Sequence, residues 1–139
     1  MRTVLTIGLW VALVLSFGCS TPHKSDSAVL QGIWTGSEAG GSAESVYSLV
    51  ISGRNLQFRG SNENEWYRGT FTLHPDQDPV QLVAEITECS FPQYIGKNAN
   101  AIYRVDEGVL TLTGNEPGNP EVPTDFEVPG SRTFVLRKH

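Results

Sequence analysis

Apolar and polar side chains alternate with a period of two through most of the chain after Val29, and that pattern commits it to β structure. Tyr47, Leu49 and Ile51 alternate with Val46, Ser48 and Val50; Leu56 and Phe58 make a short second run. Tyr67, Phe71 and Leu73 alternate with Arg68, Thr70 and Thr72, and Val80, Leu82, Ala84 and Ile86 with Gln81, Glu85 and Thr87. Ala101, Tyr103 and Val105 lead through an acidic turn, Asp106-Glu107-Gly108, to Leu110 and Leu112, and Phe134 and Leu136 lie in a final run with Thr133, Val135 and Arg137 between them. No stretch keeps a helical period for three turns. With a run at Trp34 this makes about eight strands, predicting an all-β, small antiparallel up-and-down barrel, whose closure removes the open edges that invite aggregation.

The intervening segments fit that plan. Gly36 to Glu44 is too rich in Gly and Ser to form an element, and His74-Pro75-Asp76-Gln77-Asp78-Pro79 is a turn. The passage from Asn115 to Gly130 carries too many prolines for continuous sheet. The Gly40-Gly41 loop, the looser segment from Phe91 to Gly96 and this Pro-rich passage are expected to border the barrel mouth. Strands of five to seven residues predict an interior filled by side chains.

Leu30-Gln31-Gly32-Ile33-Trp34 opens the folded part. A lone Trp next to a Gly at the start of a β-run suits a barrel floor, where the indole fills the end and Gly32 admits a neighbouring backbone. Arg137 in the last strand is expected to lay its guanidinium on Trp34 and close that end.

The first 28 residues read as addressing. Arg2 precedes a fourteen-residue apolar run, Val4 to Phe17, short of the roughly 20 residues that span a bilayer, so residues 1–18 read as an export signal. Ser16-Phe17-Gly18-Cys19 resembles a bacterial lipoprotein signal, with Leu15 one position earlier than usual, and Cys19 is the expected lipidation site. The alternative is a plain secretory cut and a soluble product. Residues 19–28 form a polar tether, and 29–139 form the barrel domain. The expected place is the periplasmic or cell-surface side of a bacterial membrane, held by the lipid anchor only.

Once Arg2 leaves with the signal, nine basic residues face fifteen acidic ones, a net charge of −6. An acidic domain without a Lys/Arg cluster excludes nucleic acid as a partner and adhesion to anionic lipid by charge. Cys19 and Cys89 are the two cysteines; with Cys19 lipidated, Cys89 is a single thiol, expected to be a small buried apolar residue.

The chemistry-bearing clusters are thin. His74 with Asp76 and Asp78 has metal-ligand types, but Pro75 and Pro79 bracket the turn and the Gly and distal Glu of a calcium loop are missing, so the reading is a solvated turn and no metal. Glu63 and Glu65 are two carboxylates on an Asn-rich loop, without the burial that would separate their pKa values for glycoside chemistry. Nucleophile-elbow, phosphate-loop and zinc patterns are not found, so no catalytic residue is assigned. Arg68 and Arg104 on polar faces, with Glu85 on the strand between, predict cross-strand ion pairs outside the barrel. Tyr47, Leu49, Tyr67, Phe71, Tyr103 and Phe134 are the candidates for lining a ligand pocket, with an ordinary core as the competing reading.

The Gly-x-Trp opening with Arg137 near the end resembles the lipocalin superfamily. Taken with Tyr67-Arg68-Gly69-Thr70-Phe71, Ala101 to Val105 leading to Leu110-Thr111-Leu112, Glu116-Pro117-Gly118, Pro123-Thr124-Asp125-Phe126 and Val135 to Lys138, the chain is similar to the uncharacterised lipocalin-like domains of planctomycete exported proteins. It departs from them at Val122, where an Arg is usual. The resemblance implies a β-barrel and export, with neither an activity nor a cofactor. The expected function is therefore a non-catalytic binding module for a small apolar ligand or an envelope protein. The alternative is a structural envelope component with a filled barrel.

Overall fold

The structure, a computed structural model, describes residues 26–139. The export signal, Cys19 and the tether up to residue 25 lie outside the described residues. The described chain starts with one helical turn, α1 (Asp26–Leu30), so ordered structure begins inside what reads as tether.

Eight strands follow: β1 (Gly32–Glu38), β2 (Tyr47–Ser52), β3 (Asn55–Arg59), β4 (Trp66–His74), β5 (Val80–Cys89), β6 (Asn98–Asp106), β7 (Val109–Gly114) and β8 (Arg132–Lys138). Each pairs antiparallel with the next, and β8 returns to β1, so the sheet closes in sequence order. The all-β up-and-down barrel read from the alternation is the fold found. Strands run to ten residues in β5, longer than expected, and a 3-10 turn (Pro92–Tyr94) joins β5 to β6.

Closure depends on close backbone contact where β1 meets β8. A Cβ on Gly36 would sit 2.0 Å from the Val135 carbonyl oxygen, so that seam admits no side chain. Gly69 in β4 is similarly pressed against the Glu85 carbonyl, with 1.9 Å to a Cβ built there. The register between β4 and β5 shifts at Arg68/Gly69, which leaves Thr87 as an extra residue: Arg68 faces Glu88 and Gly69 faces Ile86. Arg68 accordingly pairs with Glu88 at 3.3 Å, not with Glu85, and lies 5.2 Å from the Trp66 ring; Arg104 stacks on Phe126 at 4.5 Å. The ion pairs expected through Glu85 are thus replaced by one displaced pair and one stacking contact.

At the floor, Trp34 is 1 % exposed and its Nε1 donates to the Leu30 carbonyl at 2.8 Å, tying β1 to α1. Gln31 clamps the β2–β3 turn: its Oε1 accepts from Gly53 N at 2.7 Å, and its Nε2 donates to Gly53 O at 3.0 Å. The cation over the indole is Lys138, 5.4 Å from the ring centroid, and not Arg137. The correction follows from strand parity. Phe134 and Leu136 are buried, so their face continues to Lys138, which stands opposite Trp34, while exposed Arg137 stands opposite Thr35 with Val135 on the outer face. Lys138→Ala should therefore lose about 0.5–1 kcal/mol in urea unfolding, an exposed cation–π contribution. Arg137→Ala should stay within about 0.5 kcal/mol of the parent.

The Pro-rich passage behaves unlike a mouth loop over most of its length. Ile102 and Thr113 occupy outward positions of β6 and β7, yet both are 0 % exposed, because residues 119–128 lie against the outside of the wall. Asn100 Nδ2 donates to Asn119 O at 3.0 Å and Thr133 Oγ1 to Phe126 O at 3.0 Å, while Thr113 and Thr133 share a hydroxyl contact at 2.7 Å. Pro123 is buried in this strap. The two ends of the passage border the mouth; its middle doubles the β6–β8 wall.

Candidate functional site

The barrel is filled at its floor only. Leu30, Trp34, Phe71, Tyr103, Leu110 and Leu136 are buried there and stay out of a cavity of about 420 Å³ that opens at the other end. The filled interior expected from short strands is not found. Longer strands add depth, and small residues on one side leave that depth unoccupied.

Those small residues are contiguous by register. On β5, β6 and β7 the inward positions toward the mouth are Ala84, Ala99, Ala101 and Gly114, and Ala84 stands opposite Ala99 while Ala101 stands opposite Gly114. Four small side chains in adjoining strands make a recess that no neighbour fills. Leu82, Ile86 and Leu112 continue this wall, and Leu49, Ile51 and Leu56 line the facing strands β2 and β3.

Across from the recess runs a belt of rings. Phe134 lies 5.1 Å from Tyr47 and 5.0 Å from Phe58, and Phe58 lies 6.1 Å from Tyr67. Tyr67 then meets Phe91 at 6.0 Å and Tyr94 at 6.4 Å. The tilted and edge-on geometries are those aromatic pairs favour, and they hold the belt in place without a ligand. Phe58, Tyr67, Tyr94 and Phe134 face the cavity.

The mouth is polar. Arg132 at the top of β8 places Nε 2.9 Å from Glu38 Oε1 and its terminal nitrogen 2.7 Å from Glu65 Oε1, while its guanidinium lies 5.1 Å from Phe134 and 5.8 Å from Tyr47. Tyr47 Oη donates to Glu38 Oε2 at 2.9 Å. The bond from Arg132 holds the Glu38 carboxyl below its ordinary value of 4.5 against the opposing effect of burial, and the same contacts, Glu38 first, raise the Arg132 guanidinium. Burial, with a smaller contribution from the Glu65 charge, pushes the Tyr67 phenol up to about 12, so it is a neutral hydroxyl at physiological pH. Tyr94 Oη donates to Glu116 on the far rim, and that bond raises the Tyr94 phenol. Asn115 Oδ1 accepts from Ser131 Oγ at 2.5 Å, tying the two ends of the strap beside the cavity.

A depressed carboxyl pKa makes Glu38 stabilising above about pH 4.5, with the contribution lost as pH falls through the lowered folded-state value. Thermal melts taken from neutral pH into the carboxylate range should therefore fall less steeply for Glu38→Gln than for the parent. The neutral-pH difference should be at most about 1 kcal/mol, because the Arg132 side chain is 44 % exposed.

Of the six residues expected to line a pocket, Leu49, Tyr67 and Phe134 do so. Tyr47, Phe71 and Tyr103 do not: Tyr47 supports Phe134 and the rim, and the other two belong to the packed core. Glu65 turns to Arg132, and Glu63 is exposed. His74, Asp76 and Asp78 are exposed in the β4–β5 turn at the closed end. Among the described residues no three His, Cys, Asp or Glu side chains converge on a metal position. Cys89 is buried, with Sγ donating to the Phe91 carbonyl at 2.8 Å. The sequence reading missed the recess, although its signal is present: alanine or glycine at inward parity in three successive strands. It also missed Arg132 and Glu38, which continue the inward parity at the mouth ends of β8 and β1, and Tyr94 and Glu116, which lie in loops that alternation does not reach.

No protein-family model matches this chain, and neither does any curated protein or solved structure.

Proposed function

We propose that this protein is an exported, lipid-anchored, non-catalytic module that holds a small apolar ligand in the open half of its barrel. The observation that carries the reading is the cavity of about 420 Å³ between the Ala84-Ala99-Ala101-Gly114 recess and the aromatic belt. Its size is within the usual range for small-molecule sites, and it pairs mostly apolar walls with a few polar groups at the opening, as such sites do. A protein partner is the weaker choice, because the feature to be explained is concave and internal. A side-chain-filled envelope component would not need the recess. The barrel order and the Trp at the floor support placing the chain with lipocalin-like exported domains.

The test is intact mass spectrometry on full-length protein gently extracted from its own cell envelope. A mass above that of the polypeptide that is present under native conditions and lost on denaturation is expected. Bare polypeptide under both conditions would sink the ligand reading. The anchor rests on the apolar run from Val4 to Phe17 and on Cys19 behind Gly18. Cys19→Ser should move the protein from the membrane to the soluble fraction, and its continued recovery with membranes would remove the anchor.

A further inference from the structure

The walls of the cavity select for apolar bulk; the mouth decides which polar end can accompany it. Among the described residues lining the cavity, Arg132 is the one cation, and it is already engaged. Its Nε and Nη2 bond the Glu38 carboxylate at 2.9 and 3.2 Å, its Nη1 bonds Glu65 at 2.7 Å, and Tyr47 and Phe134 lie beneath it. An anionic headgroup would have to compete with two carboxylates for this guanidinium. Lys97, exposed on the β5–β6 connection, is not among the lining residues.

Glu116 is in the opposite situation. It lines the cavity and is exposed, and its hydrogen-bond partner is the Tyr94 hydroxyl, a neutral donor. An ionised carboxylate has about four acceptor positions, so one phenol leaves room for further donors. Among the described residues the three ion pairs involve Glu38, Glu65 and Glu88 and none involves Glu116, although the Lys97 side chain lies beside Gly118, two residues away. Of the two charged residues that line the cavity, Arg132 is thus held by two carboxylates while Glu116 keeps open acceptor positions, with the Tyr67 and Tyr94 rings next to it.

We propose that the ligand is an apolar molecule ending in a protonated amine, with its body in the recess and its amine against Glu116 at the mouth. This rests on the reading of the cavity as a ligand site. The amine gains a charge-assisted hydrogen bond from the carboxylate and the attraction of neighbouring ring faces. A carboxylate of the same length meets like charge instead.

The test uses the exported Cys19→Ser chain, which needs no detergent, and displacement of a fluorescent apolar dye by octylamine, octanol and octanoate at neutral pH. There the amine is protonated and the acid ionised. Octylamine should bind about tenfold more tightly than octanoate, with octanol between them. Adding Glu116→Gln should shrink that gap to below about threefold, while Asp76→Asn, at the closed end, should leave it unchanged, separating a local contact from the protein's overall charge. The proposal is overturned if octylamine binds no more tightly than octanol or octanoate, or if the gap survives Glu116→Gln. If the dye and all three compounds fail to bind, the ligand reading itself falls and this one with it; if they bind without the amine preference, only this one does.

Discussion

Trp34→Ala should cost the protein about 3–5 kcal/mol, the usual range for truncating a fully buried large aromatic side chain. The indole is 1 % exposed, sits under Lys138 and carries a side-chain hydrogen bond that joins the strand bearing it to α1. Its removal empties the floor and orphans the Leu30 carbonyl together. For a domain of this size each kcal/mol shifts the melting temperature by roughly 4 °C or more, so a fall of at least about 12 °C is expected. Trp34→Phe separates the two contributions, since it keeps most of the bulk but still orphans the carbonyl, a loss on the order of 1–3 kcal/mol. Should Trp34→Ala melt within a few degrees of the parent, Trp34 could not be what closes the barrel.

Ala99→Phe should act in the reverse sense, weakening binding while sparing the fold. Ala99 is half-buried at an inward position of β6 and faces the empty recess beside Ala84. A phenyl group there enters a void rather than a packed core, so melting should stay level or rise. Displacing a ring's worth of buried ligand surface removes about 1.5–3 kcal/mol, a ten- to hundredfold loss of affinity for an apolar dye. The same substitution should erase the ligand mass retained under native conditions. Unchanged dye binding in a normally folded Ala99→Phe protein would place the ligand somewhere other than the recess.

The barrel was legible in the sequence because parity is local: Tyr47, Leu49 and Ile51 are buried in β2 and Leu82, Ala84 and Ile86 in β5, as alternation requires. The floor cation was legible too, and the resemblance misdirected it. Phe134 and Leu136 already set the inward face of β8, and two residues further on is Lys138, not Arg137. Depth within the barrel is another matter. Alternation says that Phe71, Tyr103 and Tyr67 all face inward, but only register and the length of each strand put the first two in the floor and the third at the mouth. The displaced Arg68–Glu88 pair depends on a one-residue irregularity at Thr87 that no period of two announces. Ile102 and Thr113 read as outward, and their complete burial depends on where a Pro-rich passage chooses to lie, a tertiary decision that its composition leaves open.

That strap makes the container lopsided. Behind the β6–β7 part of the alanine recess the wall is two layers thick, with the outer layer fixed by Asn100, Asn115 and Thr133, whereas the side from β1 to β5 is a single sheet facing solvent. Pushing β6–β8 outward would strip Ile102 and Thr113 of their cover, a cost that the single-layered side does not carry. On the proposed ligand reading, the recess is the braced side of the container and the rings of Tyr67, Phe91 and Tyr94 stand at the thinner side.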